Sequence, residues 1–140
     1  MMELTNGGVN SSYDSATGFR HGPKTVIKDN TISLHFISND PFTAGYDLDL
    51  LLEMINEKTK NTVVAICADQ AEGLKIEDMI VLGSSGYGYT KDLCVGISGL
   101  LFFQIFAMHK SMELGITTDN PSPGGQVNRV VKGVTIYPYE

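Results

Sequence analysis

The run Val63-Val64-Ala65-Ile66-Cys67-Ala68 has the length of a strand, is rich in β-branched residues and contains no polar side chain. A strand that is apolar at every position must be covered on both faces, as it is inside a parallel sheet. Parallel neighbours cannot be joined by a hairpin and need a crossover element, so this one run already asks for helices on either side of it. The upstream sequence supplies a strand and a crossover. Ile32-Ser33-Leu34-His35-Phe36-Ile37 alternates before ending apolar, as a strand with at least one buried face does, and Ser38-Asn39-Asp40-Pro41 stops it. Asp40 can accept from the first free amides of a helix, Pro41 suits its first position, and Leu48, Leu51, Leu52 and Ile55 recur at helical spacing, so a helix is expected to end near Lys58. Downstream, Met79-Ile80-Val81-Leu82 reads as a third strand. From about Asp92 to Leu114 a second helix places Leu93, Ile97, Leu100, Leu101, Ile105, Met108 and Met112 on one side, with Gly115 as its stop.

This alternation predicts an α/β fold, a three-layer sandwich with a mainly parallel sheet. The 140 residues are expected to form one domain, with residues 116–140 as a C-terminal tail. The opening fits less well: a doubly wound domain begins with its own strand and crossover helix, yet no strand precedes Met1-Met2-Glu3-Leu4-Thr5, so the fold is expected to be small or N-terminally truncated. A content of 42% hydrophobic and 19% charged residues is that of a soluble globular protein and argues against disorder, collagen-like repeats and membrane spans. The uncharged stretch from Leu93 to Met108 is 16 residues, just short of a span, and Asp92 and Lys110 flank it closely, so a buried or interface helix is expected rather than a membrane one. With 10 Lys+Arg against 16 Asp+Glu, the formal charge of -6 makes nucleic acid an unfavourable partner. Cys67 and Cys94 lie in apolar stretches without metal-ligand spacing and read as reduced core residues. The N-terminus has no basic region followed by an apolar run, so a cytoplasmic location is expected.

Arg20, His21, Lys24 and Lys28 are four of the ten basic residues, gathered within nine positions of an acidic chain. Thr17-Gly18-Phe19-Arg20-His21-Gly22-Pro23-Lys24 sets an imidazole between glycines, where backbone can approach a ligand and a histidine can exchange a proton near neutral pH. A capped turn with Pro23 opening a short helix and a solvated basic rim would produce the same string, and both readings stay open. Gly83-Ser84-Ser85-Gly86-Tyr87-Gly88-Tyr89 lies between a strand and a helix, where phosphates are often cradled. It lacks both the G-K-[ST] ending and the G-x-G-x-x-G spacing, and so reads first as a flexible turn. His35 and His109 read as structural histidines. The segment from Thr118 to Tyr137 is stiffened by Pro121 and Pro123, and its Val, Ile and Tyr content suits packing on something. Within it Lys132 is either a surface lysine or an ammonium delivered into a partly buried pocket.

Taken together, GFRHGPK, SNDPFTAGYDLDLL and DNPSPGGQVNRVVKGVTIYP, in this order, resemble the second sugar isomerase (SIS) domain of the tagatose-6-phosphate ketose/aldose isomerase group, which also includes galactosamine-6-phosphate deaminases. The resemblance runs nearly end to end. It implies a flavodoxin-like SIS domain of which this chain holds the C-terminal portion, and it explains the abrupt start. It also implies a phosphorylated sugar or amino sugar as substrate, a homo-oligomer with a shared active site, and neither metal nor organic cofactor. Glu3 falls where relatives have the carboxylate that moves a proton between C1 and C2. His21 falls on their HGP histidine, which assists ring opening in a site shared with a neighbouring subunit. Lys132 falls on a C-terminal lysine that contacts the open-chain sugar. Arg20, Lys24 and Arg129 are the further candidates for substrate binding.

The chemistry suits these residue types on its own terms. Aldose–ketose interconversion needs a base for the proton α to the carbonyl, which a partly desolvated carboxylate such as Glu3 can be. Ring opening moves a proton from O1 to the ring oxygen, work for an imidazole such as His21. The enediolate needs positive charge from Lys132 or Arg20, and one preorganised donor of this kind contributes about 3 kcal/mol. With an amino sugar the same enolisation precedes loss of ammonia. The rivals are a non-catalytic sugar-phosphate-binding module and an inactive remnant of a disrupted gene.

Overall fold

The computed structural model describes residues 1–57, 61–82, 92–126 and 133–139, and the chain divides into two compact units. One is Tyr13–Leu101; the other combines Met1–Ser12 with Phe102–Glu140.

In the first unit, strands β1 (Ile32–Phe36), β2 (Thr62–Cys67) and β3 (Met79–Val81) form a parallel sheet in the order β1-β2-β3. Ser33 pairs with Val63 and His35 with Ala65, while Ala65 pairs with Met79 on the other side. Helix α2 (Pro41–Asn56) is the crossover between β1 and β2, and it starts as its sequence dictates: the Asp40 carboxylate accepts from the Thr43 amide at 2.9 Å, with Pro41 in the first turn. The hydrogen bonds from Thr43 hold the Asp40 carboxyl below its ordinary value. Leu50, Leu51 and Met54 of α2 are buried against Ile37, just past β1, and against Val63, Ala65 and Cys67, every second residue of β2. The opposite face of the sheet carries Leu34, Phe36, Val64 and Ile66, of which Ile66 is fully buried. The α/β reading and its parallel sheet therefore stand, with each boundary within two residues of expectation.

Helix α3 (Asp92–Glu113) also occupies its expected range, and Gly115 follows it at a φ of +72°, the left-handed conformation that ends helices. The side it packs is a different matter. The buried positions are Val95, Ala107 and Ser111, with Gly99, whereas the long residues Leu93, Ile97, Leu100, Leu101, Ile105, Met108 and Met112 all face solvent. At Gly99 the ring of Phe36 lies directly on the helix backbone, so that a methyl group there would overlap it. Close approach selects small residues for the packed side and leaves the large ones outside. Cys94 shares that outer side and is exposed, which corrects its assignment to the core; Cys67 is buried, and burial pushes its thiol above the ordinary value.

His35 is structural, as expected: its Nε2 lies 2.8 Å from the Ser33 hydroxyl, and burial pulls its pKa down to about 4. His109 instead stands exposed on α3.

The second unit is organised by two buried hydroxyls. Thr5 Oγ1 donates to the Met1 carbonyl and accepts from the Val9 amide, closing the N-terminal turn. Ser111 Oγ donates to the Leu4 carbonyl at 2.7 Å and so ties that turn to the end of α3. Neither hydroxyl is left without a partner, which is the condition for burying it.

Two outcomes follow. Gly99→Ala should lower stability by about 1–3 kcal/mol through overpacking, although alanine normally favours a helix, and adding Phe36→Leu should recover most of the loss in thermal unfolding. The His35 ring should stay neutral at pH 5.5 in an NMR titration. Its folded-state pKa is depressed, so the stability tied to it is present above pH 6.5 and is lost as pH falls from there toward about 4.

Candidate functional site

The GFRHGPK segment folds into two short helical turns. Ser15 accepts from the Gly18 amide at 3.0 Å and caps α1 (Ala16–Arg20). The His21 amide donates to the Gly18 carbonyl and closes α1, after which Pro23 opens a 3₁₀ turn, Pro23–Val26. This is the capped turn with a Pro-initiated helix that the residues alone allowed. Phe19 and Ile27, on either side of His21, pack against the core beneath α2 and anchor the turn.

The basic residues are anchored as well. Lys24 donates to both Glu53, in the last turn of α2, and Glu57, the residue that follows it, and Arg20 lies 3.3 Å from Glu53. The two carboxylates raise the Lys24 pKa, and the Lys24 ammonium lowers that of Glu53. Lys24 is thus engaged by carboxylates of this chain, while Arg20, with one carboxylate contact and five N–H donors, keeps donors for an anion. His21 sits between them with its imidazole exposed. The arrangement can present a proton-exchanging ring beside a guanidinium, on a turn fixed from below.

Glu3 lies in the N-terminal turn of the other unit, with its side chain exposed. Arg20, His21 and Lys24 are grouped on one turn of the unit Tyr13–Leu101. Arg129 and Lys132 fall outside the described residues, as does the Gly83–Tyr89 segment. Among the described residues no group of His, Cys, Asp and Glu is placed to hold a metal ion.

Sequence reasoning missed two features. Glu53 and Glu57 have the i,i+4 spacing that stacks side chains on one helix face, which flags a cation receptor, but only the fold says which cation arrives. The other lies at the C-terminal edge of the sheet, where ligands of open α/β sheets gather. There the Asp92 carboxylate accepts from Ser38 Oγ at 2.6 Å and from the Asn39 amide at 2.7 Å. Asp47 accepts from the Ser38 amide at 3.1 Å, and its pKa is raised, first by burial and further by the Asp92 charge. Three carboxylates, of Asp40, Asp47 and Asp92, thus occupy the amides and hydroxyl of the β1–α2 turn.

The Lys24 cluster has a definite pH signature. The folded-state pKa of Glu53 is depressed, so its contribution is present above the unfolded carboxylate value and is lost as pH falls through the folded one; that of Lys24 is raised, so its contribution is lost only as pH rises beyond the ordinary lysine range. Lys24→Met should accordingly flatten the loss of thermal stability on acidification and weaken its dependence on salt, as followed by melting temperature from pH 7 down to pH 3.

No family model matches the chain. Along its whole length it is 40% identical to the D-galactosamine-6-phosphate deaminase AgaS of Escherichia coli, of which it covers 36%. It is 39% identical, over 99% of its length, to the D-galactosamine-6-phosphate deaminase AgaS of Shewanella sp. strain ANA-3, covering 32% of that protein. Among solved structures, a candidate tagatose-6-phosphate ketose/aldose isomerase of Clostridium novyi NT superposes with a TM-score of 0.89 at 42% identity, over 99% of this chain and 36% of the other. The tagatose-6-phosphate ketose/aldose isomerase of Escherichia coli superposes with a TM-score of 0.82 at 34% identity, over 99% and 34%. The chain spans about a third of the length of these relatives. The likeness supports an α/β fold of the sugar isomerase (SIS) type and a sugar-phosphate isomerase or deaminase family.

Proposed function

We propose that this chain is the C-terminal portion of an SIS-type enzyme that interconverts aldose and ketose phosphates of the tagatose-6-phosphate or galactosamine-6-phosphate class through an enediolate. The observation that carries the reading is the end-to-end match to AgaS proteins, at 40% identity with no part of the chain left over. The exposed imidazole on an anchored turn agrees with it, since a ring that opens a sugar must be reachable by solvent and fixed in place.

In this mechanism His21 moves the proton from O1 to the ring oxygen and so opens the hexose. Glu3 then takes the proton α to the carbonyl and returns it to the adjacent carbon, and Lys132 or Arg20 balances the charge on the enediolate. Arg20 and Arg129 are the proposed contacts to the charged substrate. Lys24, held by Glu53 and Glu57, serves that binding by keeping the Arg20–His21 turn in register on α2. With an amino sugar, enolisation sets up expulsion of ammonia. Glu3 and His21 belong to different units of the chain, and a site shared between copies in a cytoplasmic homo-oligomer is the assembly this reading proposes.

The test offers galactosamine-6-phosphate and tagatose-6-phosphate separately, measuring ammonia release and aldose–ketose conversion alongside calorimetric binding. One of the two substrates should turn over. His21→Ala and Glu3→Gln should each lower kcat by roughly 10²–10⁴-fold while changing affinity little. Unaltered turnover in both variants removes the assigned chemistry. Binding without turnover in the unaltered chain identifies a sugar-phosphate-binding module instead.

A further inference from the structure

In the unit formed by Met1–Ser12 and Phe102–Glu140, Thr5 and Ser111 are fully buried and their hydroxyls do different work. Thr5 Oγ1 acts within its own turn, donating toward the Met1 and Met2 carbonyls at 3.0 and 3.3 Å and accepting from the Val9 amide at 3.1 Å. Ser111 Oγ acts across the chain. It lies 2.7 Å from the Leu4 carbonyl, 107 residues away, and 3.2 Å from the Ile116 carbonyl just past Gly115. Packing alone does not ask for a hydroxyl at this position. Ser111 lies on the side of α3 that small residues occupy, one turn after the buried Ala107, and alanine would fill the same space with a better helix propensity. The shorter of its two bonds ends on the residue that directly follows Glu3.

The turn that carries Glu3 is held at its other end as well. Gly8 packs so closely that a methyl group on it would come within 3.1 Å of the Leu114 side chain and 3.0 Å of the Thr5 carbonyl. Between these anchors Asn6 and Gly7 adopt φ angles of +48° and +75°, and the amides of Thr5, Asn6 and Gly7 donate back to the carbonyls of Met1, Glu3 and Met2. Glu3 therefore combines a backbone tied to the end of α3 with an exposed carboxylate. A base that removes a proton from carbon needs this combination, because a misplacement of about 1 Å can cost on the order of 10²-fold in rate.

We propose that Ser111 is a positioning residue for Glu3, its hydroxyl setting, through the Leu4 carbonyl, the place from which the Glu3 carboxylate works. This role rests on the assignment of Glu3 as the base and adds what holds that base in place.

Steady-state kinetics of the full chain, with galactosamine-6-phosphate and tagatose-6-phosphate offered separately, test this role. Ser111→Ala should keep the circular dichroism spectrum, lower kcat about 10- to 100-fold and leave KM within about twofold. Ser111→Cys, of similar shape but with a weak donor, should fall between, and it carries the test if Ser111→Ala folds poorly. Ala107→Gly loosens the same helix without touching this bond, so it should lower the melting temperature and leave kcat unchanged. Because Ser111 acts through Glu3, adding Ser111→Ala to Glu3→Gln should slow that variant no further. Unchanged kcat in the folded Ser111 variants, a kcat for Ala107→Gly as low as that for Ser111→Ala, or a further fall of about tenfold in the double variant would each overturn the role of Ser111 while leaving Glu3 as the base. Normal turnover in Glu3→Gln, or none in the unaltered chain, would instead remove the base and its positioning residue together.

Discussion

The packing of α2 on the parallel sheet is the interaction on which the described structure rests. Leu50, Leu51 and Met54 close over Ile37, Val63, Ala65 and Cys67, and each side chain fully buried there contributes about 1.5–3 kcal/mol relative to leaving it in water. Everything placed near the candidate site hangs from this contact. Phe19 and Ile27 reach the same core, which brings the His21 turn to α2, and the C-terminal end of α2 then offers Glu53, and Glu57 just after it, to the cations of that turn. The helix thus serves as the floor of the core on one side and as an ionic receptor beside it.

The charge pattern of the molecule follows from where the chain reverses. Acidic residues collect at the starts of α2 and α3, where a helix presents free amides and a positive dipole end. Asp40 caps α2 and Asp92 reaches across to the β1–α2 turn, so the N-terminal groups at this edge of the sheet are met by the chain's own carboxylates. The cations instead surround His21, on a different part of the same unit. The Arg20–His21 turn is where this unit sets cations, and Glu53 and Glu57 meet them there, whereas the sheet edge carries Asp40, Asp47 and Asp92.

Helix α3 shows how packing distance overrides hydrophobic periodicity. Its large aliphatic residues recur at helical spacing in a helix with no charge from Leu93 to Met108, and by periodicity alone that row would be the buried one. The ring of Phe36 reaches the helix at Gly99, and contact at that range admits only small side chains. The helix therefore packs through small side chains at Gly99 and leaves its large aliphatic ones exposed.

The sequence by itself determined the elements and their kind. An uninterrupted apolar run required a covered strand, Asp40-Pro41 marked the start of a helix, and Gly115 marked the end of another, because these signals act through local dihedral preferences and nearest backbone groups. The motif GFRHGPK was legible as a candidate site for the same reason, as a local string. What only the tertiary structure decided was which side of α3 is packed, which of two cysteines is buried, and which carboxylates meet Arg20 and Lys24. Each of these depends on contacts between residues far apart in the chain, such as Phe36 with Gly99 or Lys24 with Glu53 and Glu57, and no spacing within a single element encodes them.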